Sequence, residues 1–498
     1  MRFILTFDVG TTSVKTRLFD ESFQIVGSHS AEYQLIVKSG GIVEMEGEAY
    51  WSALCKGSRA VVAACPAARS GIEVIAISTQ GETLIPIDSK GKPLCNAIVW
   101  LDSRSTEEAA FLRRSFGSDI YYPSTGLGQV DEVAPISKIL NIKNKRPDVY
   151  SQTYKFLLLE DYLLLRLSGK IVTEKSLLSS SGYFNIRTDA LYTEILDYAE
   201  ISPSLFPEVL ECAQAIGTIQ NDAAYELGIN AGARVVTGAM DQVSGAIGAG
   251  NIRQGIVTET TGTALVMGAS TTNPDFSHPA RPIIYRHALK GSFFVLSLSN
   301  TAGMIMKWFK DEFCALEAER FGDSVYAELD RLAAEIPPAS DGLLVFPHFS
   351  GVITPVSDPD ARGIFYGVTL NTRKAHFLRA IMESVAYMLK ENIEIFEQMG
   401  ISVQQIRSLG GGSRSGIWSQ IKADVLQREI LTFQDTESTS IGAAMLGALG
   451  AGWYPSLEAM GTPNPQRATF QPNNNNTIVY DAAYAKYQKL YQFYQHIR

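Results

Sequence analysis

The chain has 498 residues, 46% hydrophobic and 19% charged, which excludes a disordered, collagen-like or coiled-coil protein and supplies core for two or three domains. Its formal net charge of −9 speaks against a broad attraction to nucleic acid or anionic lipid, so any anionic ligand must be held locally. Five scattered cysteines without a C-x-x-C pair, and six histidines without metal-ligand spacing, indicate neither a disulfide framework nor a zinc site. No stretch reaches the ~18 uncharged apolar residues of a membrane span, and a cytoplasmic location is expected.

In chain order, RFILTFD, VGTTS and VKTRLFD read as strand, turn and strand, with a third strand around QIVGSHS. Helical spacing of Tyr50, Leu54, Val61 and Ala64 predicts a helix over 47–65. IEVIAIS then reads as a strand running into the polar cluster Thr79, Gln80, Gly81 and Glu82. After Asn230 the cycle starts again. RVVTGAMD is a strand ending at Asp241, VSGAIGAG a short helix, and GIVTETTGTALVMGA a second hairpin with Gly and Thr at its tip. Such self-similarity at long interval predicts two related α/β lobes, 1–250 and 251–498. The later chain reads as a helix through TAGMIMKWFKDEF, a strand at GLLVF, a long helix over 373–399, a strand at IRSLG, and helices over 415–427 and around IGAAMLGALGAG. The tract 473–476 reads as a solvated loop before a last helix over 481–496.

Three constellations carry chemistry. In FDVGTTSVK, Asp8 at a strand end can hold Mg²⁺ through water, the turn at Gly10 and the hydroxyls of Thr11 and Thr12 can face phosphate oxygens, and Lys15 can add a point charge. One D-x-G-T also suits an ordinary turn; its return at Thr260, Thr261, Gly262 and Thr263 favours two hairpins that clamp a polyphosphate. In GAMDQ, Asp241 stands at a strand end, placed to accept a hydroxyl proton or to cap the helix that follows, beside Gln242. In SLGGGSRSGIW, the glycines 410–412 lie between strand and helix and let backbone approach a flat ligand such as adenine. Walker and Rossmann fingerprints are both absent, so a nucleotide site must be of another type.

These motifs, with STQGETLIPID, AIVWLDSR, FLLLEDYLLLRLSG, and FPHFSG with DPDARGIFYG, resemble in content and order those of the FGGY carbohydrate kinases, from Phe3 to about Gly452. The resemblance implies an α/β fold of two ribonuclease H-like, actin-like ATPase lobes with a cleft between them, and ATP- and Mg²⁺-dependent phosphorylation of a sugar or polyol. It implies Asp241 as catalytic base, Asp8 near the metal, and Gly10, Thr11, Thr12, Gly262, Thr263, Gly411 and Gly412 on the nucleotide, to which Lys15, Thr261 and Ser413 of the same turns are added as candidates. Gln80 and Glu82 fall where the family contacts substrate hydroxyls, Asp102 and Arg104 lie on the loop that follows, and Asp241 and Gln242 complete the substrate-binding candidates. Gly81 stands where glycerol kinases carry arginine, the Gln-Met-His of xylulose kinases is missing, and APISKILNIKNKRPDVY resembles xylulose and gluconate kinases. A pentulose such as D-xylulose is the expected acceptor, with gluconate or glycerol as alternatives and a homodimer as the expected assembly; an actin- or chaperone-like ATPase without a sugar substrate is the rival of another class.

Overall fold

The computed structural model describes residues 2–354, 358–434 and 437–496. It divides into two compact units, Met1–Ile252 with Ile283–Phe294 and Glu437–Asn464, and Arg253–Pro282 with Val295–Thr436 and Pro465–Arg498. The chain thus leaves the first unit near the expected division at Gly250, and two later segments return to it.

The first unit opens with β1 (Phe3–Val9), β2 (Ser13–Asp20), β3 (Ile25–Glu32), β4 (Ile36–Lys38), β5 (Ile42–Met45) and α1 (Gly47–Ala64). It continues with β6 (Ile72–Thr79), β7 (Leu84–Ile87), β8 (Ala97–Ile98), α2 (Pro135–Lys145), β9 (Lys155–Leu158), α3 (Leu159–Ser168), β10 (Ala215–Thr218), β11 (Arg234–Met240) and α4 (Asp241–Gly248). Its main sheet has the order β10-β11-β6-β1-β2-β3, with β1, β6 and β11 parallel and the β1–β2 hairpin antiparallel. β1 is buried almost throughout, as FILTFDV requires of a strand covered on both faces. A second sheet, β4-β5-β8-β7-β9, is built from strands of two to four residues, too short for their periodicity to be read from sequence.

The second unit repeats the main sheet. Its elements are β12 (Gly255–Thr261), β13 (Leu265–Thr271), β14 (Phe293–Ser299), α5 (Gly303–Phe313), α6 (Lys374–Gln398), β15 (Val403–Leu409), α7 (Gly416–Leu426) and β16 (Glu429–Phe433). α8 (Ser438–Gly450) then rejoins the first unit, where it packs on β1, β6 and β11, before β17 (Gln466–Phe470) and α9 (Asn474–His496) return to the second. Six of this sheet's seven strands run β14-β13-β12-β15-β16-β17, the order of the first sheet, again with an antiparallel hairpin, two parallel neighbours and an antiparallel outer strand; Ile283–Arg286 adds the seventh beside β14. The internal repeat expected from the two Gly-Thr tips is therefore a repeat of the whole sheet.

One expectation is corrected. The tract 473–476 is not a loop, because α9 begins at Asn474. The Asp424 carboxylate on α7 accepts the amide of Asn473 at 2.8 Å and the Asn476 side chain at 2.8 Å. It thereby supplies partners and a negative charge at a helix N-terminus, where both are favourable. Tyr480, Tyr484 and Tyr487 of the same helix are buried. Tyr484 and Tyr487 lie against Tyr387 of α6, while the Tyr480 hydroxyl binds Glu383 at 3.0 Å.

Candidate active site

In the first unit, Asp241 is the first residue of α4, one position past the N-cap Met240, so it is not the helix cap that one sequence reading expects: one oxygen, Oδ1, accepts the amide of Gln242 at 2.7 Å, and Oδ2 makes no hydrogen bond among the described residues. Burial, and then the charge of Asp8, push its carboxyl up to about 7. Its position is braced from below. A register shift in β11 between Val236 and Ala239 leaves the Gly238 amide for Glu160 Oε1 at 2.8 Å, and the Met240 amide donates to Ser176 Oγ at 3.0 Å. The acid of the FLLLEDY motif thus supports the strand that presents Asp241.

Asp8 is the penultimate residue of β1, and burial raises its carboxyl to about 6 against the opposing pull of Lys15. At the adjacent tip, Tyr33 takes the Gly10 carbonyl with its hydroxyl and the Thr12 carbonyl with its amide at 2.9 Å, and Trp100 Nε1 donates to Thr11 Oγ1 at 2.9 Å. Lys15 is half exposed and paired with Glu437 at 3.3 Å, which also holds Arg17 at 3.2 Å.

The expected acceptor loops follow β6 and β8. Gln80 is buried and its amide donates to the Val9 carbonyl; its Nε2 reaches the Tyr50 hydroxyl at 3.4 Å, while Oε1 has no partner among the described residues. Glu82 sits at φ 54°, left-handed for a residue with a side chain, and burial raises its carboxyl. A Cβ on Gly81 would lie 2.9 Å from Ser180 Oγ and 3.3 Å from the Met240 sulfur, so an arginine, as in glycerol kinases, would have to displace both side chains here. Asp102 is fully buried and already engaged: it accepts the Val43 amide at 2.6 Å and a two-toothed guanidinium from Arg104, whose Nη2 also binds Glu44 at 2.8 Å.

Sequence reasoning passed over three neighbours. Lys138 of α2 is buried and donates to the carbonyls of Glu82 and Val99. Trp100 lies in AIVWLDSR, noticed for Asp102 and Arg104, and Lys138 in APISKILNIKNKRPDVY, noticed only as a whole stretch. Tyr285, buried within electrostatic reach of Glu82 and Asp241, comes from Ile283–Phe294, for which the sequence holds no signal.

In the second unit the tip after β12 is tied to α5: Gly262 and Thr263 carbonyls accept the amides of Gly303 at 2.8 Å and Ala302 at 3.0 Å. Below it, the Lys422 ammonium of α7 binds Glu259 Oε1 at 2.6 Å and Thr261 Oγ1 at 2.8 Å, all three buried. Thr261 donates to Glu259 Oε2, and Ser408 of β15 to Oε1. The three glycines have different reasons. A Cβ on Gly410 would meet the Thr261 carbonyl at 2.9 Å and one on Gly412 the Thr261 side chain at 2.7 Å, whereas one on Gly411 meets nothing within 4 Å. Ser413 spends its hydroxyl on the Gly410 carbonyl at 2.8 Å.

A sheet of this topology occurring twice defines the two-domain, actin-like ATPase class of sugar kinase folds. The model of the N-terminal domain of the FGGY family of carbohydrate kinases matches residues 3–248, and that of its C-terminal domain residues 257–451. The chain belongs to this family, and it is a phosphotransferase with an alcohol group as acceptor and ATP as donor. It is 28% identical to a xylulose kinase of Bacillus subtilis, covering 99% of this chain and 97% of that one, and 30% identical to a gluconokinase of the same organism, covering 92% and 89%. A solved xylulose kinase from Rhodospirillum rubrum superposes with a TM-score of 0.91 at 25% identity, covering 100% of this chain and 99% of that one. Among the described residues no helix is long and apolar enough to cross a membrane.

Proposed function

We propose that the protein is a cytoplasmic pentulose kinase, acting on D-xylulose or a close neutral relative, and that it works as a homodimer. The observation that carries the acceptor class is charge. Around Asp241 stand the acids Asp8 and Glu82, while Arg104, the cation of the acceptor loops, is neutralised by Asp102 and Glu44, and the Lys138 ammonium of α2 is turned to the Glu82 and Val99 carbonyls. An aldonate such as gluconate, the second reading favoured by the gluconokinase relative, would bring a carboxylate to this acidic surface, where Arg104 is already neutralised and Lys138 is already bonded to main chain.

In this reading the acceptor hydroxyls are bound by Gln80, whose unpartnered Oε1 suits a hydroxyl donor, and by Glu82 and Gln242, with Asp102 acting through the Arg104 it holds. Asp241 Oδ2 takes the proton of the reacting hydroxyl as that oxygen bonds to the γ-phosphorus of ATP and the bond from phosphorus to the ADP oxygen breaks. Gly10, Thr11, Thr12 and Lys15 face phosphate oxygens in the first unit; in the second, Thr261, Gly262, Thr263, Gly411, Gly412 and Ser413 hold the nucleotide. Asp8 is a hard oxygen donor, desolvated beside a second carboxylate, which suits Mg²⁺. When bound there, Mg²⁺ would neutralise charge on the phosphate oxygens.

The test is ADP release over a panel of pentuloses, aldonates and polyols, with light scattering for the dimer. Pentuloses should give the highest kcat/KM, and Asp241→Asn should lower kcat by ~10² or more at nearly unchanged ATP binding. Higher kcat/KM with gluconate would replace the pentulose reading, and absence of any acceptor-dependent ADP would favour a sugar-independent ATPase.

A further inference from the structure

Lys138 is an unusual residue to bury: it is fully enclosed, on α2, and its ammonium approaches no carboxylate within ion-pair distance among the described residues. Its two hydrogen bonds go instead to main chain, 2.8 Å to the Glu82 carbonyl and 2.9 Å to the Val99 carbonyl. Those carbonyls belong to two loops far apart in sequence. The first contains the left-handed Glu82 and the Gly81 carbonyl bound by the Thr83 amide at 2.7 Å. The second begins where Val99 accepts the Asp102 amide at 2.9 Å, and leads to Arg104. Neither loop is regular structure, and the strands behind them, β7 and β8, are four and two residues long. A left-handed glutamate is strained and persists only where its surroundings hold it.

We infer that Lys138 is a positioning residue of the acceptor site: one ammonium, bonded to the carbonyls of Glu82 and Val99, fixes the two loops that bind the sugar in register with each other. A charged donor serves because its bonds to buried carbonyls are stronger than neutral ones, and an ammonium serves because three N–H bonds from one atom can reach two strands of main chain at once. Lys138 itself need not touch the sugar; it acts through Glu82 and through the loop that carries Asp102 and Arg104. The inference rests on the acceptor role proposed above for those residues.

The experiment compares wild type, Lys138→Met and Lys138→Arg by two readouts. Hydrogen exchange with mass spectrometry, on protein without ligands, should show peptides covering 79–84 and 99–104 exchanging ~10-fold faster in Lys138→Met, with the hairpin 3–20 unchanged. Kinetics, on whichever acceptor the wild type turns over best, should show KM for the acceptor raised at least ~10-fold and KM for ATP within twofold. Lys138→Arg keeps the charge with a different shape and should fall between, and it carries the test if the methionine variant does not fold. Unchanged exchange in both loops would overturn the inference, as would loosened loops with an unaltered acceptor KM, or equal rises in both KM values. A wild type without acceptor-dependent turnover would defeat the functional reading alone; the exchange data would still decide whether Lys138 pins the loops.

Discussion

Folding places Asp241 where water is scarce and Asp8 adds a like charge, so its carboxyl is raised from 3.8 to about 7. A base with that value is half ionised near neutrality, and kcat/KM should climb with pH through about 7 on the acid side. The same shift opposes stability. The folded state holds the proton more tightly than the unfolded chain, so the contribution is intact below the unfolded value near pH ~4 and is lost as pH rises to about 7. Asp241→Asn should therefore melt a few degrees higher than wild type at pH 8 and at the same temperature at pH 3.5, by calorimetry. Gly411 gives a second test at this scale. Its neighbours Gly410 and Gly412 are required by the approach of Thr261, but open space lies over Gly411. Gly411→Val should leave the melting temperature within ~2 °C and raise KM for ATP at least ~10-fold, because only a bound nucleotide would meet the new side chain. Equal KM values would remove Gly411 from the nucleotide site. Asp241, Asp8 and the glycines were legible because each sits at a strand end inside a patterned motif. Lys138 and Tyr285 were not, since burial of a lone lysine or tyrosine leaves no periodic trace.

Between elements, the contact that aims Asp241 is the crossing of α4 and α8. A Cβ on Gly248 would lie 1.9 Å from the Ser438 carbonyl, and one on Gly442 1.8 Å from the Ser244 carbonyl, so these helices touch backbone to backbone. Gly442→Ala must push them apart. It should cost ~1–3 kcal/mol or more in denaturant titrations and reduce kcat, since α4 begins with the base. An unaltered kcat in the folded variant would mean that the crossing does not set the position of Asp241. Long elements such as α6 were readable within a residue or so because eighteen or more residues of apolar spacing outweigh local accidents. The five short strands of the second sheet were not readable. The start of α9 was misjudged because the asparagines find their partner, Asp424, in another helix.

For the whole molecule, the repeated hairpin tip was sufficient to expect a repeated fold, and six strands of the second unit's seven-stranded sheet keep the order of the first. Chain order predicts less well which unit a segment joins, because α8 follows the strands of the second unit and packs on β1, β6 and β11 of the first. A fragment of residues 1–252 therefore lacks the helix that covers one face of its own main sheet. Expressed alone it should be insoluble, or bind a hydrophobic dye strongly, and adding a peptide of residues 437–464 should reduce that binding. A fragment that is soluble, dye-silent and cooperative in melting would show that α8 is dispensable.

The position of α8 also sets a timetable. Roughly 200 residues separate β11 from α8, so at the usual pace of translation, about 5–20 residues per second, the sheet bearing the base leaves the ribosome some ~10–40 s before its cover does. During that interval the nascent chain exposes an apolar surface that no earlier segment can shield, and slow codons or a scarcity of chaperones between these two points should lower the yield of active enzyme more than the same delay after residue 464.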